Sequence, residues 1–343
     1  MVERSLPAML VTAPAGVRWL SGFSAPEDAR VLIGESDAWL LTDGRYAEQV
    51  AAESSIEPVI ERDWIDAVAA RLNGTRLGVE AEHLTLATAA KLASRTGHEP
   101  IRTEGVVTRL RQRKDAAEIA AIRRAAELTD RAFEHGLTVL KPGVRELDVA
   151  LAIERFVRSE GGDGMAFPII VASGARSAMP HGTASSKTIE AGELVTIDMG
   201  AQVDGYCADM TRTVGIGTVS SQHRALFDAV LEAQRAATAQ VRAGAAGRDL
   251  DRTARQVLAE HGLAEAFVHS LGHGVGLDVH EGPSLSSRSE DVLDASMTVT
   301  IEPGVYLAGD AGVRIEDLVL VGEDGAEVLS RTPTAWRAIE TSA

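Results

Sequence analysis

The sequence predicts a mixed α/β chain of two domains, residues 1–108 and 109–343, the second an internally duplicated α+β unit. Three observations predict it. Short strand and helix patterns alternate through the first third of the chain. The remainder echoes itself at a spacing of 103 to 107 residues. Pairs of carboxylates stand at corresponding places in the two echoes. A length of 343 residues with 45% hydrophobic content is ample for two cores.

In the first domain, residues 9–12, 30–33, 38–42 and 77–79 are β-branched and apolar runs of strand length. Residues 46–53, 64–72 and 86–94 carry apolar residues at helical spacing. Asp43-Gly44-Arg45-Tyr46 reads as a capped corner between a strand and a helix. No cluster of ligand-type residues is found in this domain. Residues 6–16 look faintly like a signal peptide, but two prolines interrupt the run. The basic stretch 109–114 is expected to be a linker. Asp115 with Glu118 has the form of a capping box opening a long helix over residues 116–135.

Two echoes follow. Residues 141–148, ending Arg-Glu-Leu-Asp, are repeated as 242–251, ending Arg-Asp-Leu-Asp, with Leu147 and Leu250 103 apart. Residues 193–200 alternate so that Val195, Ile197 and Met199 share one face and Thr196 and Asp198 the other. Gly200 to Gly205 reads as a hairpin loop of four or five residues, and residues 206–214 as the return strand, with Cys207, Asp209, Thr211 and Thr213 on a common face. Asp198 is echoed 104 residues later by Glu302, on an expected strand 297–302, and Asp209 is echoed 107 later by Glu316, on an expected strand 313–319. A pseudo-twofold axis brings the four acids together.

Like charges converging in a core repel and lose hydration, and a cation between them resolves the conflict. The stretch HSLGHGVGLDVHE, residues 269–281, supplies three histidines among glycines. A lone histidine is more often a satisfied core residue; three beside an acid cluster point to nitrogen ligation. The expected ligand set is therefore Asp198, Asp209, His273, Glu302 and Glu316 around two divalent ions. Oxygen-rich donors with one imidazole suit Mn²⁺ or Co²⁺, with Zn²⁺ as an alternative.

The net charge of −16 argues against nucleic acid and against an anionic membrane surface as partners. No apolar run reaches the roughly 18 residues of a membrane span. The single cysteine, Cys207, excludes an internal disulfide, and the cytoplasm is the expected location.

The motifs FPIIVASGARSAMPHG (residues 167–182), VTIDMG, ADMTRT, HSLGHGVGLDVHE, TIEPGVY and GVRIED resemble the pita-bread metallopeptidases of the prolidase and aminopeptidase P family. The N-terminal AMLVTAPAGVRWLSGF and LLTDGRY resemble the creatinase-type domain that accompanies them. The resemblance implies a creatinase-like N-terminal α/β domain followed by a pseudo-twofold pita-bread catalytic domain. It implies hydrolysis of the Xaa-Pro bond, a tertiary amide with no N–H to offer a peptidase. All five family ligand positions are matched. Asp209 and Glu316 resemble the bridging ligands, His273 the imidazole ligand, and Glu302 a ligand that also shuttles a proton. His181 is similar to a histidine near the leaving group and His280 to one that steadies the oxyanion. His269, Arg314 and Tyr306 fall where the family binds substrate. Dipeptidase activity on Xaa-Pro is expected, with an Xaa-Pro aminopeptidase as the alternative and a non-catalytic pita-bread binding module as the remote one. A homodimer is expected too, with Arg45 or Tyr46 near the seam.

Overall fold

A computed structural model describes residues 6–340. The chain divides into two compact units, Met1–Arg111 and Gln112–Ala343.

In the first unit six strands form one mixed sheet. They are β1 (Met9–Val11), β2 (Arg30–Ile33), β3 (Ala38–Thr42), β4 (Glu57–Ile60), β5 (Gly78–Glu80) and β6 (Ile101–Thr103), in the order β4-β3-β2-β1-β5-β6. Strand alternation splits the apolar residues between two faces. Leu10, Leu32 and Leu41 pack with Val68, Leu72 and Leu92 from α3 (Trp64–Leu72) and α4 (Leu86–Thr96). On the other face, Val11, Val31 and Leu40 meet Val17 and Val50 from α1 (Pro14–Ser21) and α2 (Ala47–Glu53). The Asp43 corner is capped as its residue types suggest, the Asp43 carboxylate accepting from the Arg45 N–H. The basic stretch is not an open linker. Val106–Arg111 is a helix, α5, whose Val107 is buried in this core. Lys114 is buried as well, its Nζ 2.7 Å from Glu281 Oε1.

In the second unit the capping box forms: Asp115 caps α6 (Ala116–Val139) and Glu118 returns to the Asp115 N–H. Then come α7 (Glu146–Ser159), β7 (Gly164–Met165), β8 (Ile170–Ser173), β9 (Leu194–Met199), β10 (Ala201–Val203), β11 (Tyr206–Cys207) and β12 (Met210–Ile216). The second half supplies α8 (Ser221–Thr238), α9 (Gly247–Glu260), β13 (Gly272–Gly274), β14 (Glu281–Leu285), β15 (Thr298–Ile301), β16 (Gly304–Leu307), β17 (Ala311–Arg314), β18 (Asp317–Val321), β19 (Ala326–Val328) and β20 (Ala338–Ile339). The sheets β20-β12-β9-β8 and β14-β13-β15-β18-β19 share an antiparallel centre, β8-β9-β12 and β13-β15-β18, and differ at the edges, where β20 joins β12 in parallel and β19 joins β18 antiparallel. Helices α6 and α7 cover the first through Phe133, Ile153, Val195 and Ile197, and α8 and α9 cover the second through Val230, Leu250, Val299 and Ile301.

The duplication is real, but its register differs from the echo of letters. Bridges join Arg145 to Thr188 and Ala246 to Val292, so the second helices match Val149 with Leu250 and Ile153 with Ala254. Leu147 is exposed whereas Leu250 is buried, so they are not counterparts. Burial decides equivalence here, and a four-letter echo does not.

The hairpin also departs from expectation. Met199 pairs with Met210 and Gln202 with Cys207, one continuous register that ends at Val203 opposite Tyr206. The loop is thus only Asp204-Gly205, both at positive φ, a tight turn that Asp-Gly favours. Asp209 lies opposite Gly200, in the short break between β11 and β12. The second hairpin behaves alike. Ile301 pairs with Asp317 and Gly304 with Arg314, so Glu302 lies directly opposite Glu316. Glu302 falls one residue past β15, and Glu316 between β17 and β18, rather than within single long strands.

Candidate metal centre

The side chains of the two sheets that face away from the helices meet at the centre of the second unit. Matching Asp209 with Glu316 puts Gly200 in the place of Glu302 and Asp198 in that of Thr300. The four acids therefore come from two different steps of the ladders, not from a strict twofold. Asp198, Asp209 and Glu316 are buried, and Glu302 is partly so.

One donor atom each from Asp209, His273 and Glu316 lies within 4.8 Å of the others, forming a candidate metal site. His273 Nε2 stands 3.2 Å from Glu302 Oε1 and 3.7 Å from Asp209 Oδ2. The Gly274 carbonyl, 3.1 Å from His273 Nδ1, keeps a proton on that nitrogen. In the neutral ring the Nε2 lone pair therefore points among the carboxylates, the orientation a metal-binding imidazole needs. Thr300 accepts from the His273 N–H and stands 3.2 Å from Glu302 Oε1.

Two buried carboxylate oxygens, Asp198 Oδ1 and Glu316 Oε1, have no hydrogen-bond partner among the described residues. A buried unsatisfied acceptor is costly, more so when charged. Burial, and then the charges of Glu316 and Asp198, push the Asp209 carboxyl well above its ordinary range. Burial, with the charges of Glu302 and Asp198, does the same to Glu316. For Glu302 burial is the strongest influence and acts upward, but the hydrogen bond and charge of His273 outweigh it and hold the group low. Orphaned oxygens, repelling carboxyls and one aimed imidazole all fit a divalent cation.

Arg314 is buried beside this cluster. Its Nη2 donates to Asp198 Oδ2 at 2.5 Å, Nε to Thr211 Oγ1 at 3.1 Å, and Nη1 to Tyr306 Oη at 2.7 Å and to the Pro180 carbonyl at 3.1 Å. Four of its five N–H groups are thus engaged. Ser270 O lies 2.8 Å from His269 Nδ1, so the neutral His269 accepts from the Tyr306 hydroxyl at Nε2, 2.9 Å away. Burial pushes the Tyr306 phenol up to about 12 and holds His269 below its usual value. A relay results: Arg314 donates to Tyr306, and Tyr306 to His269. His280 is exposed, its ring 4.3 Å from that of His273. His181 is exposed on the turn whose Pro180 carbonyl accepts from Arg314.

Sequence reasoning missed Thr211, which donates to Glu316 Oε2 at 2.6 Å while accepting from Arg314. It missed Arg255 too, which accounts for the carbonyls of Phe267 and His269 and leans on Asp251, itself fully buried. Thr211 shares a face with Asp209, which is the signal that was available.

Comparison with known proteins agrees with this geometry. Residues 120–323 match the metallopeptidase family M24, and residues 1–113 match the creatinase/prolidase N-terminal domain. An Xaa-Pro dipeptidase of Pyrococcus furiosus is 36% identical over 334 residues, 97% of this chain and 95% of that protein. The solved structure of an Xaa-Pro dipeptidase from Bacillus anthracis superposes with a TM-score of 0.94 at 40% identity, covering 97% of this chain and 95% of that one. An X-Pro aminopeptidase from Thermotoga maritima gives 0.91 at 38% identity, covering 97% and 98%. The pita-bread architecture expected from the motifs is the one found. The chain belongs to metallopeptidase family M24, and it is a metal-dependent peptidase with a creatinase/prolidase N-terminal domain.

Proposed function

We propose that the protein is an Xaa-Pro dipeptidase whose centre holds two divalent ions, Mn²⁺ foremost, on Asp198, Asp209, His273, Glu302 and Glu316. The observation that carries this reading is the convergence of Asp209, His273 and Glu316 donors within 4.8 Å, with Glu302 and the orphaned Asp198 oxygen alongside. When bound, the ions supply Lewis acidity and a water made nucleophilic at neutral pH.

The protein's own groups do the rest. Glu302 takes the proton of the attacking water and passes it toward the proline nitrogen. His280 steadies the oxyanion, and His181 stands on the leaving-group side. Arg314, Tyr306 and His269 form the wall that receives proline, and the remaining Arg314 N–H is available to a substrate carboxylate. Asp198, held by Arg314, keeps its second oxygen turned to the centre.

The second reading, an Xaa-Pro aminopeptidase, is favoured by the likeness to the Thermotoga maritima protein. Hydrolysis of Ala-Pro and Ala-Pro-Ala after chelation and after return of Mn²⁺ decides between them. Faster Ala-Pro turnover is expected, much faster tripeptide cleavage would support the aminopeptidase, and no metal-dependent cleavage of either would sink both.

We place the enzyme in the cytoplasm as a homodimer. A lone, buried cysteine supports a reducing compartment, and no helix among the described residues is long and apolar enough to cross a membrane. Arg45 and Tyr46, both bonded to Asp28, are the residues to probe at the seam. Sedimentation of a fully active monomer would exclude the dimer.

A further inference from the structure

Against the main chain that carries Glu316 lies an arginine that the proposed chemistry does not use. Arg212 is 4% exposed. Its Nη1 donates to the carbonyls of Thr211 and Glu316, its Nη2 to Asp317 Oδ1 at 2.6 Å and to Thr332 O at 2.5 Å, and its Nε to Thr332 O at 3.2 Å. Asp317 Oδ2 accepts in turn from Gln234 at 2.8 Å, and Asp130 holds Thr332 through its N–H and hydroxyl. The Glu316 N–H donates to Thr211 O at 3.1 Å.

Thr211 stands two residues after Asp209 in the first half of the duplicated unit, and Glu316 belongs to the second half. One guanidinium thus bonds main-chain oxygens from both halves. Packing alone does not hold it there. A cavity of about 150 Å³ lies beside it, lined by Phe133, Val214, Phe227, Ile315 and Trp336. Five hydrogen bonds, rather than contact on every side, hold the guanidinium in place.

We propose that Arg212 is a positioning residue for the metal centre: by tying Thr211 and Glu316 to Asp317 and Thr332, it fixes the spacing between the Asp209 and Glu316 carboxylates. The proposal rests on the metal reading given above. If Arg212 were only a core ion pair, replacing it together with Asp317 by uncharged residues of similar shape would leave the front of the site unchanged, since such replacements are often neutral.

The test uses full-length protein stripped with chelator: wild type, the double variant Arg212→Met/Asp317→Asn, and Arg212→Lys. Mn²⁺ is titrated into each by calorimetry at one pH, and each chelated melting temperature is recorded. Loss of an outer-shell partner weakens metal binding about 10–100-fold, and that is the expected loss in both variants. The chelated double variant is expected to melt below wild type, because Met offers no donor to the buried Glu316 and Thr332 carbonyls. Mn²⁺ affinity within twofold of wild type in either folded variant overturns the proposal, whatever its melting temperature. Arg212→Lys keeps a cation beside Asp317, so it supports folding where the double variant does not, and it meets the same criterion. Wild type that binds no Mn²⁺ is a separate outcome: it removes the metal reading, and this proposal with it.

Discussion

Replacing Asp209 by Asn should act in opposite directions with and without metal. The Asp209 and Glu316 donor atoms are at most 4.8 Å apart. Two full charges at that distance repel by about 3–4 kcal/mol at an effective dielectric of 20. In chelated protein that conflict is met by holding protons: burial, then Glu316 and Asp198, push Asp209 upward, and burial, with Glu302 and Asp198, pushes Glu316 upward. Asn keeps the shape and removes the charge, so the chelated variant should melt at or slightly above wild type. With metal the sign reverses. An ion at a hundred times its dissociation constant stabilises the wild type by about 2.7 kcal/mol. For a unit of this size that is a rise of roughly 5–11 °C. The variant, short of one ligand, should show little of this rise. Differential scanning calorimetry of both proteins in EDTA and in excess MnCl₂ supplies the four melting temperatures. An equal loss on mutation in EDTA and in Mn²⁺ would mean that Asp209 is a structural residue, and the cation argument would fail.

The same raised carboxyls set the pH dependence. Native Asp209 and Glu316 keep protons that the unfolded chain has released, so chelated wild type should lose stability as pH rises from the ordinary carboxylate range toward their raised values. Urea melts across that window should show a shallower slope for Asp209→Asn. Asp43 has the opposite sign: the Arg45 side chain, then its backbone N–H, hold it at about 2. The stability difference between wild type and Asp43→Asn should be present above the ordinary aspartate value and vanish as pH falls through about 2. Glu302→Ala should lower kcat by about 10²–10⁴; near wild-type turnover with metal retained would remove its proton-shuttle role. A Cβ at Gly200 would sit 1.8 Å from the Ala208 carbonyl oxygen, main chain against main chain. Gly200→Ala should therefore cost at least about 3 kcal/mol, toward the upper end for overpacking. At Gly44, where nothing lies within 4 Å, the same change should stay within about 0.5 kcal/mol in urea melts.

Legibility followed the range of the interaction. The Asp115–Glu118 capping box was visible because both partners lie within one turn of helix. The alternation of Thr196 and Asp198 against Val195 and Ile197 was visible because strand geometry sets it locally. The Asp204-Gly205 turn was equally local, and reading the loop as longer overlooked the positive φ that this pair accepts at both positions. The boundary between the units falls within 109–114, as its composition suggests, but charge alone did not show that residues 109–111 close a helix or that Lys114 is buried against Glu281, a partner far away in the chain.

Sequence by itself pointed to the residues proposed to carry the chemistry: four acids, one imidazole, and a duplication to gather them. It also determined the family, because those side chains stand in motifs that few alternatives satisfy. Only the tertiary structure decided how they meet. It set Glu302 opposite Glu316, and Asp198 against Arg314 rather than in symmetry with Glu302. It brought Arg212 within reach of Glu316, Asp317 and Thr332, partners 104 to 120 residues away. Periodicity fixes the face a side chain takes, but strand register and the packing of two half-units fix its neighbour, and both depend on contacts between residues far apart in the chain.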